Sequence, residues 1–170
     1  MLKIFNDLKP FFEDNYRRIN VREYARIQKI SPPTASSLLQ NYLKEGLLKK
    51  EEEKQYLYYF ANKESSLFVD LSRIYWKVVL ENSGFVKALS EKFISPVIIL
   101  FGSLSKAEVK ENSDIDIAVF TATRKELDLK EFEKKLKRNI QLFVFKDREN
   151  IKNKELFNNI LNGDRLKGNW

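Results

Sequence analysis

The 170-residue chain has no cysteine and no histidine. Without thiols there is no disulfide framework and no thiolate zinc site. Without imidazole there is no Ser-His-Asp hydrolysis, no histidine acid-base catalysis and no His-ligated metal. Carboxylates, amides, hydroxyls and lysine remain as site groups, and a cation held by them is a hard one such as Mg2+ or Mn2+. Long apolar runs are missing as well. Residues 96–101 are too few to span a bilayer, and residues 67–80 are interrupted by Asp70, Arg73 and Lys77, so no membrane segment is expected. From Lys3 onward charged and apolar residues alternate, with no apolar core or cleavage site of a secretory leader, which points to a cytoplasmic protein.

What is present is enough apolar (43%) and aromatic (13%) material to build the core of one ordinary domain or two small ones. A net charge of +7 favours polyanionic partners, but the excess is shared between residues 1–63 and 64–170 and singles out no face.

Two patterns meet near residues 62–66. The first opens with Leu2, Ile4, Phe5, Leu8, Phe11 and Phe12 on one helical stripe. Asn20 is an N-cap ahead of a second short helix. Ser31 caps a third, with Pro32 and Pro33 in its first turn, Ala35, Leu38, Leu39, Tyr42 and Leu43 inward, and Gly46 as its stop. Residues 47–50 and 55–60, joined by a charged tip at 51–54, predict a two-stranded hairpin. The stretches "ISPPTASSLLQNYLKEGLLKK" and "YLYYFAN" resemble the winged helix-turn-helix of MarR-like and ArsR-like regulators. That resemblance implies contact with double-stranded DNA through Ser31, Thr34, Ser36, Ser37, Gln40 and Asn41 on the third helix. Lys50 and Lys54 on the wing would meet phosphates. The plainer alternative is a small packing domain whose polar residues are solvent face. A connecting helix over residues 67–80 and a short one over 85–93 follow, and the first is a candidate homodimer face.

The second pattern carries the chemistry. Residues 96–101 are a β-branched, apolar run that predicts a buried strand ending at Gly102-Ser103, with a short helix over 104–110 behind it. Gly102 permits close backbone approach to an anion, and the unpaired N-H groups at the helix start favour phosphate. Ten residues past Ser103 comes a second strand, Ser113 to Phe120. Asp114 and Asp116, two apart, put both carboxylates on one face, an arrangement that asks for a divalent cation. A helix around Leu129, Phe132 and Leu136, a strand over 140–145 and a last helix stopped by Gly163 complete the chain.

The segment "ILFGSLSKAEVKENSDIDIAV" resembles the signature of the polymerase-beta superfamily, closest to the minimal nucleotidyltransferases, and "LFNNILNGDRLKG" is similar to the closing segment of that family. The expected fold is therefore α+β: an N-terminal winged helix domain (1–63), connecting helices (64–93), and a C-terminal nucleotidyltransferase-type mixed β-sheet with flanking helices (94–170). The resemblance implies nucleotidyl transfer from an NTP. Asp114 and Asp116 would hold Mg2+ or Mn2+, and Gly102, Ser103, Lys106 and Ser113 would hold the nucleotide. Lys106 and Ala107 stand where the family has arginine and glycine.

The family also has a third carboxylate on the next strand. Here "NIQLFVF" places Gln141 at that position, and an amide can ligate a cation weakly but cannot act as a base. Glu111, Asp128 and Asp147 are the acids that could replace it. Three functions stay open. One is an active nucleotidyltransferase acting on a protein or nucleic-acid hydroxyl, for which minimal nucleotidyltransferase antitoxins imply a HEPN-type toxin as partner. The second is a DNA-binding regulator that binds nucleotide without turnover, and the third is a partner-binding protein with a relic site.

Overall fold

The computed structural model describes residues 2–123 and 125–170. Among them the fold is α+β, with eight α-helices and seven strands in two sheets, and it divides into two compact units. One unit comprises the residues up to Leu71 together with Glu108–Glu111; the other comprises Ser72–Ala107 and Asn112–Trp170.

The first unit runs α1 (Lys3–Glu13), β1 (Ile19–Asn20), α2 (Val21–Gln28), α3 (Pro32–Lys44), β2 (Leu48–Glu53) and β3 (Tyr56–Ala61), with an antiparallel sheet in the order β1-β3-β2. Most of the predicted stripe is the buried side of α1, with Phe5, Leu8, Phe11 and Phe12 all under 5% exposed; Ile4 is half-buried, and Leu2, which precedes the first helical turn, is 66% exposed. Pro10 lies inside this helix and has no N-H for the carbonyl of Asn6, four residues back. Helix α2 supplies the missing donor. Gln28 Nε2 donates to Asn6 O at 2.9 Å and to Asp7 O at 3.2 Å, while Tyr24 Oη donates to Asp7 O at 2.9 Å. The Asp7 side chain is buried and accepts from Tyr42 Oη of α3 at 2.7 Å. One acid and two tyrosines thus tie three helices together. Burial and Asp7 push both phenols well above their usual range, so they act as donors at any physiological pH. Tyr42→Phe removes the hydroxyl and leaves a buried carboxylate oxygen without it. A loss of about 1.5–2 kcal/mol is expected in urea unfolding, with the slope unchanged.

Asn20 and Ser31 cap α2 and α3 as expected, accepting from Glu23 N at 3.0 Å and Thr34 N at 3.3 Å. The hairpin differs from expectation at its tip. Glu51–Glu53 are strand, paired with Tyr58, Leu57 and Tyr56, and the turn is Lys54-Gln55, both at positive φ. Arg18 bridges Glu51 and Glu53 at 3.2 and 3.1 Å, so the acidic run is held to the sheet instead of looping out.

Helix α4 (Ser66–Ser83) carries the chain into the second unit, which continues with α5 (Phe85–Lys92), β4 (Val97–Phe101), α6 (Ser103–Lys106) and β5 (Ile115–Phe120). After these come α7 (Lys130–Leu136), β6 (Ile140–Phe145), α8 (Lys154–Leu161) and β7 (Asp164–Lys167). Its mixed sheet has the order β6-β5-β4-β7: β5 and β6 are parallel, the other pairs antiparallel. Every residue of β4 is buried, as its unbroken apolar run requires of a central strand. One face of this sheet packs Val97, Ile99, Phe101, Ala118 and Phe120 under Ile160 of α8. Because Phe101 is paired with Asp116, that same face places the acid at the edge of an apolar floor.

The helix expected over residues 104–110 ends at Lys106. Ala107 adopts the left-handed conformation (φ 53°, ψ 44°) and caps it. The main chain beyond is taken elsewhere: Val109 N-H donates to Asn15 Oδ1 at 2.7 Å and Val109 O accepts from Asn15 N at 2.8 Å.

Candidate functional site

Asp116 is the second residue of β5 and Asp114 just precedes the strand, so both stand at the beginning of a central strand on the face of Ala118 and Phe120. In the parallel neighbour, Gln141 is the register partner of Asp116. The amide side of the site is closer than expected. Gln141 Nε2 donates to Asp114 Oδ2 at 2.6 Å, and Asn139 Nδ2 donates to Asp114 Oδ1 at 3.3 Å. Asn139, just before β6, carries no local signal of its own, although "N-x-Q" at the start of β6 repeats the spacing of "D-x-D" at the start of β5, with Gln141 paired to Asp116.

Asp116 has a different environment. It is half-buried, and desolvation followed by repulsion from Asp114 pushes its carboxyl up to about 6. Part of that burial comes from Gly102, which has φ +73° and ψ −148°, backbone that only glycine adopts readily. A Cβ at this position would overlap Asp116 Oδ2 and lie 3.0 Å from Asp116 Cγ. The chain reversal between β4 and α6 therefore brings bare backbone against the carboxylate, a cradle that any side chain would fill.

The turn itself is held from behind. Ser105 is buried and donates through Oγ to Gly102 O at 2.9 Å. Arg73 of α4 donates through Nε to Ser105 O at 2.6 Å and lies 3.6 Å from Asp164 Oδ2. Lys106 is exposed, and its ammonium donates to Asn159 Oδ1 of α8 at 2.8 Å. Ser113 enters through its backbone: its carbonyl accepts from Arg138 Nη1 at 2.7 Å, with the guanidinium 5.0 Å from the Trp76 ring. Arg73, Arg138 and Asn159 lie far from the motif in sequence and carry no local signal.

The remaining acids do not join the pair. Asp147 accepts from Asn150 N at 3.0 Å and Asp128 from Lys130 N at 3.1 Å, both as exposed turn-capping groups. Glu111 belongs to the other unit. Among the described residues no cluster of three or more acidic ligands exists. The site is two carboxylates completed by amides.

In the first unit, the polar residues of α3 divide. Ser31, Thr34, Ser37 and Asn41 are exposed, with the Ser31 and Thr34 hydroxyls 2.8 Å apart. Ser36 and Gln40 are half-buried instead of exposed, and Gln40 Nε2 donates to Tyr59 Oη at 2.7 Å, which fixes α3 to β3. Lys50 and Lys54 are exposed on the hairpin.

Residues 86–167 match the family model described as polymerase beta, nucleotidyltransferase. This segment, just under half of the chain, contains Gly102, Ser103, Asp114, Asp116 and Gln141, and the match supports a nucleotidyltransferase-like function for it. No curated protein gives a significant match to the chain, and no solved structure does. No helix among the described residues is long and apolar enough to cross a membrane.

Proposed function

We propose that residues 94–170 bind an NTP with Mg2+ or Mn2+ and transfer its nucleotidyl group to a protein or nucleic-acid hydroxyl, while residues 1–63 form a winged helix that docks on duplex DNA. The observation that carries the first half is the Asp114 and Asp116 pair beside the bare backbone of Gly102, inside the segment matched to the nucleotidyltransferase family.

The donor set fits a hard divalent ion. Asp114 and Asp116 would hold it, and Gln141 can offer an amide oxygen. When bound, such an ion neutralises phosphate oxygens and lowers the pKa of an attacking hydroxyl. The chain's own part is positioning. Gly102 lets phosphate approach the backbone, the Ser103 hydroxyl and the Lys106 ammonium are donors for it, and Arg73 and Ser105 hold the turn so that these donors do not have to be ordered at the moment of reaction.

The test is incubation of the full chain with Mn2+ and α-labelled NTP, alone and with protein or RNA acceptors. Label transferred to an acceptor is expected. No heat of NTP binding in isothermal titration, with and without Mn2+, overturns the proposal. One observation favours a second reading: Gln141 is a donor to Asp114 and supplies no base, which suits a DNA-binding regulator that holds nucleotide without turning it over. Binding without transfer is the result it expects.

For the first half of the chain, the order α1-β1-α2-α3-β2-β3 with sheet order β1-β3-β2 supports a winged helix. Thr34, Ser37 and Asn41, at helical spacing on the exposed side of α3, suit major-groove contacts, with Lys50 and Lys54 on phosphates. The likeness to minimal nucleotidyltransferase antitoxins extends the proposal to a HEPN-type toxin as the protein acceptor, and residues 67–80 to a homodimer face.

A further inference from the structure

Strand β3 has two aromatic sides. Tyr59 and Ala61 point inward and are under 5% exposed, while Tyr56, Tyr58 and Phe60 alternate to the opposite side, Tyr56 exposed and Tyr58 and Phe60 half-buried with one part of each ring reaching solvent. Tyr56 is 63% exposed, and Tyr16, from the turn after α1, adds a ring that is 47% exposed. Cations sit over these rings. Arg18 lies 5.2 Å from the centre of Tyr58, Lys63 lies 3.7 Å from that of Tyr16, and Lys110 approaches Tyr16 at 5.5 Å. Such pairs occur roughly once per 70–80 residues, so three in a unit of about that size mark a concentration. Beside Tyr16 is a cavity of about 270 Å³, lined among others by Asn15, Lys49, Phe60, Lys63 and Glu64.

The carboxylates of this face are already matched: Glu51 and Glu53 by Arg18, and Glu64 by Lys49 at 2.7 Å, which holds its carboxyl below the usual range. Among the described residues no carboxylate pairs with Lys63; its ammonium rests on a ring. Rings about 7 Å apart along a strand, with an ammonium that can swing from ring face to phosphate, match a strand of splayed bases rather than a duplex. Aromatic side chains on the outer face of a sheet are the kind of platform on which unpaired bases stack.

We propose that this outer face of the sheet, centred on Tyr16, Tyr58, Phe60 and Lys63, binds single-stranded nucleic acid. It is a surface separate from the exposed residues of α3, and it stands whether or not α3 reads DNA. The experiment is fluorescence anisotropy of the full chain with a labelled ten-nucleotide oligo-U and oligo-dT at increasing salt. Binding that weakens as salt rises is expected. Tyr16→Ala should weaken it roughly 5- to 150-fold by loss of stacking while Tyr16→Phe retains it, and Lys63→Ala should reduce the salt slope by about 0.7. Circular dichroism checks that each variant folds, which the exposure of Tyr16 favours. No binding at 50 mM salt, equal affinity of Tyr16→Ala and wild type, or displacement by polyaspartate or by a duplex of equal charge as effective as by unlabelled oligomer would each overturn the proposal.

Discussion

Asp116→Asn is expected to abolish Mn2+-dependent nucleotide binding and any turnover, and at the same time to make the metal-free protein more stable. The two effects have one origin. Asp116 is a half-buried carboxylate beside Asp114, and both factors push its carboxyl up to about 6. A group raised in the folded state contributes stability that is fully present below its unfolded pKa, near 3.9, and is lost as pH rises through about 6. At pH 8 the ionised Asp116 is therefore a cost that asparagine removes. Because the group is half-exposed, water screens much of the repulsion, and the gain after that discount is about 1 kcal/mol, a rise of roughly 2–4 °C in Tm. The functional loss is larger. A bound divalent ion supplies several kcal/mol of charge stabilisation, so turnover should fall by about 10³ or more. Titration calorimetry with Mn2+ and NTP, paired with thermal melts at pH 5 and pH 8, separates the outcomes. A variant that melts lower than wild type at pH 8, or that still binds Mn2+ and NTP normally, contradicts this account of the site. The sign also fixes the pH dependence of the native protein: proton and cation compete for Asp116, so apparent Mn2+ affinity should drop about tenfold between pH 7 and pH 5.

The elements that position this pair were legible because their signals are local. The run from Val97 to Phe101 is apolar throughout, and Asp114 and Asp116 alternate with isoleucines, so strand, face and turn follow from side-chain period alone. What was not legible is set by partners distant in sequence. Strand β7 reads Asp-Arg-Leu-Lys with a single buried residue, Leu166, and is a strand because β4 offers it an edge. Two-residue β1 is too short for any period and exists by pairing with Tyr58 and Tyr59. Residues 108–110, expected as the continuation of α6, likewise belong to the first unit, where Asn15 takes both main-chain groups of Val109. Asn139 belongs with these. Its relation to Asp114 appears only when β6 is laid parallel to β5, since neither the residue nor its neighbours announce a site.

Gln141→Glu is expected to act in the opposite direction to Asp116→Asn: a less stable metal-free protein that binds Mn2+ at least tenfold more tightly and, in the active reading, turns over about 10² times faster. In the native chain the Gln141 and Asn139 amides donate to the two oxygens of Asp114, which offsets part of the repulsion between the acids. A glutamate at 141, the register partner of Asp116, withdraws one of those donors and adds a third like charge on the same face. Both changes push the Asp116 carboxyl up further, so the metal-free variant should melt below wild type at pH 8. Once a cation is present the same three charges become ligands, and the melting order should reverse at saturating Mn2+. A carboxylate next to the attacking hydroxyl also restores a proton acceptor, and general-base contributions of 10²–10⁴ set the scale of the gain. Electron paramagnetic resonance titration of free Mn2+ reads affinity and stoichiometry independently of turnover. If Gln141→Glu tightens Mn2+ but transfer stays undetectable, the site is a nucleotide-binding one in a regulator. If Mn2+ affinity is unchanged or weaker, Asp114 and Asp116 are not a cation site and the amides on Asp114 are its permanent partners.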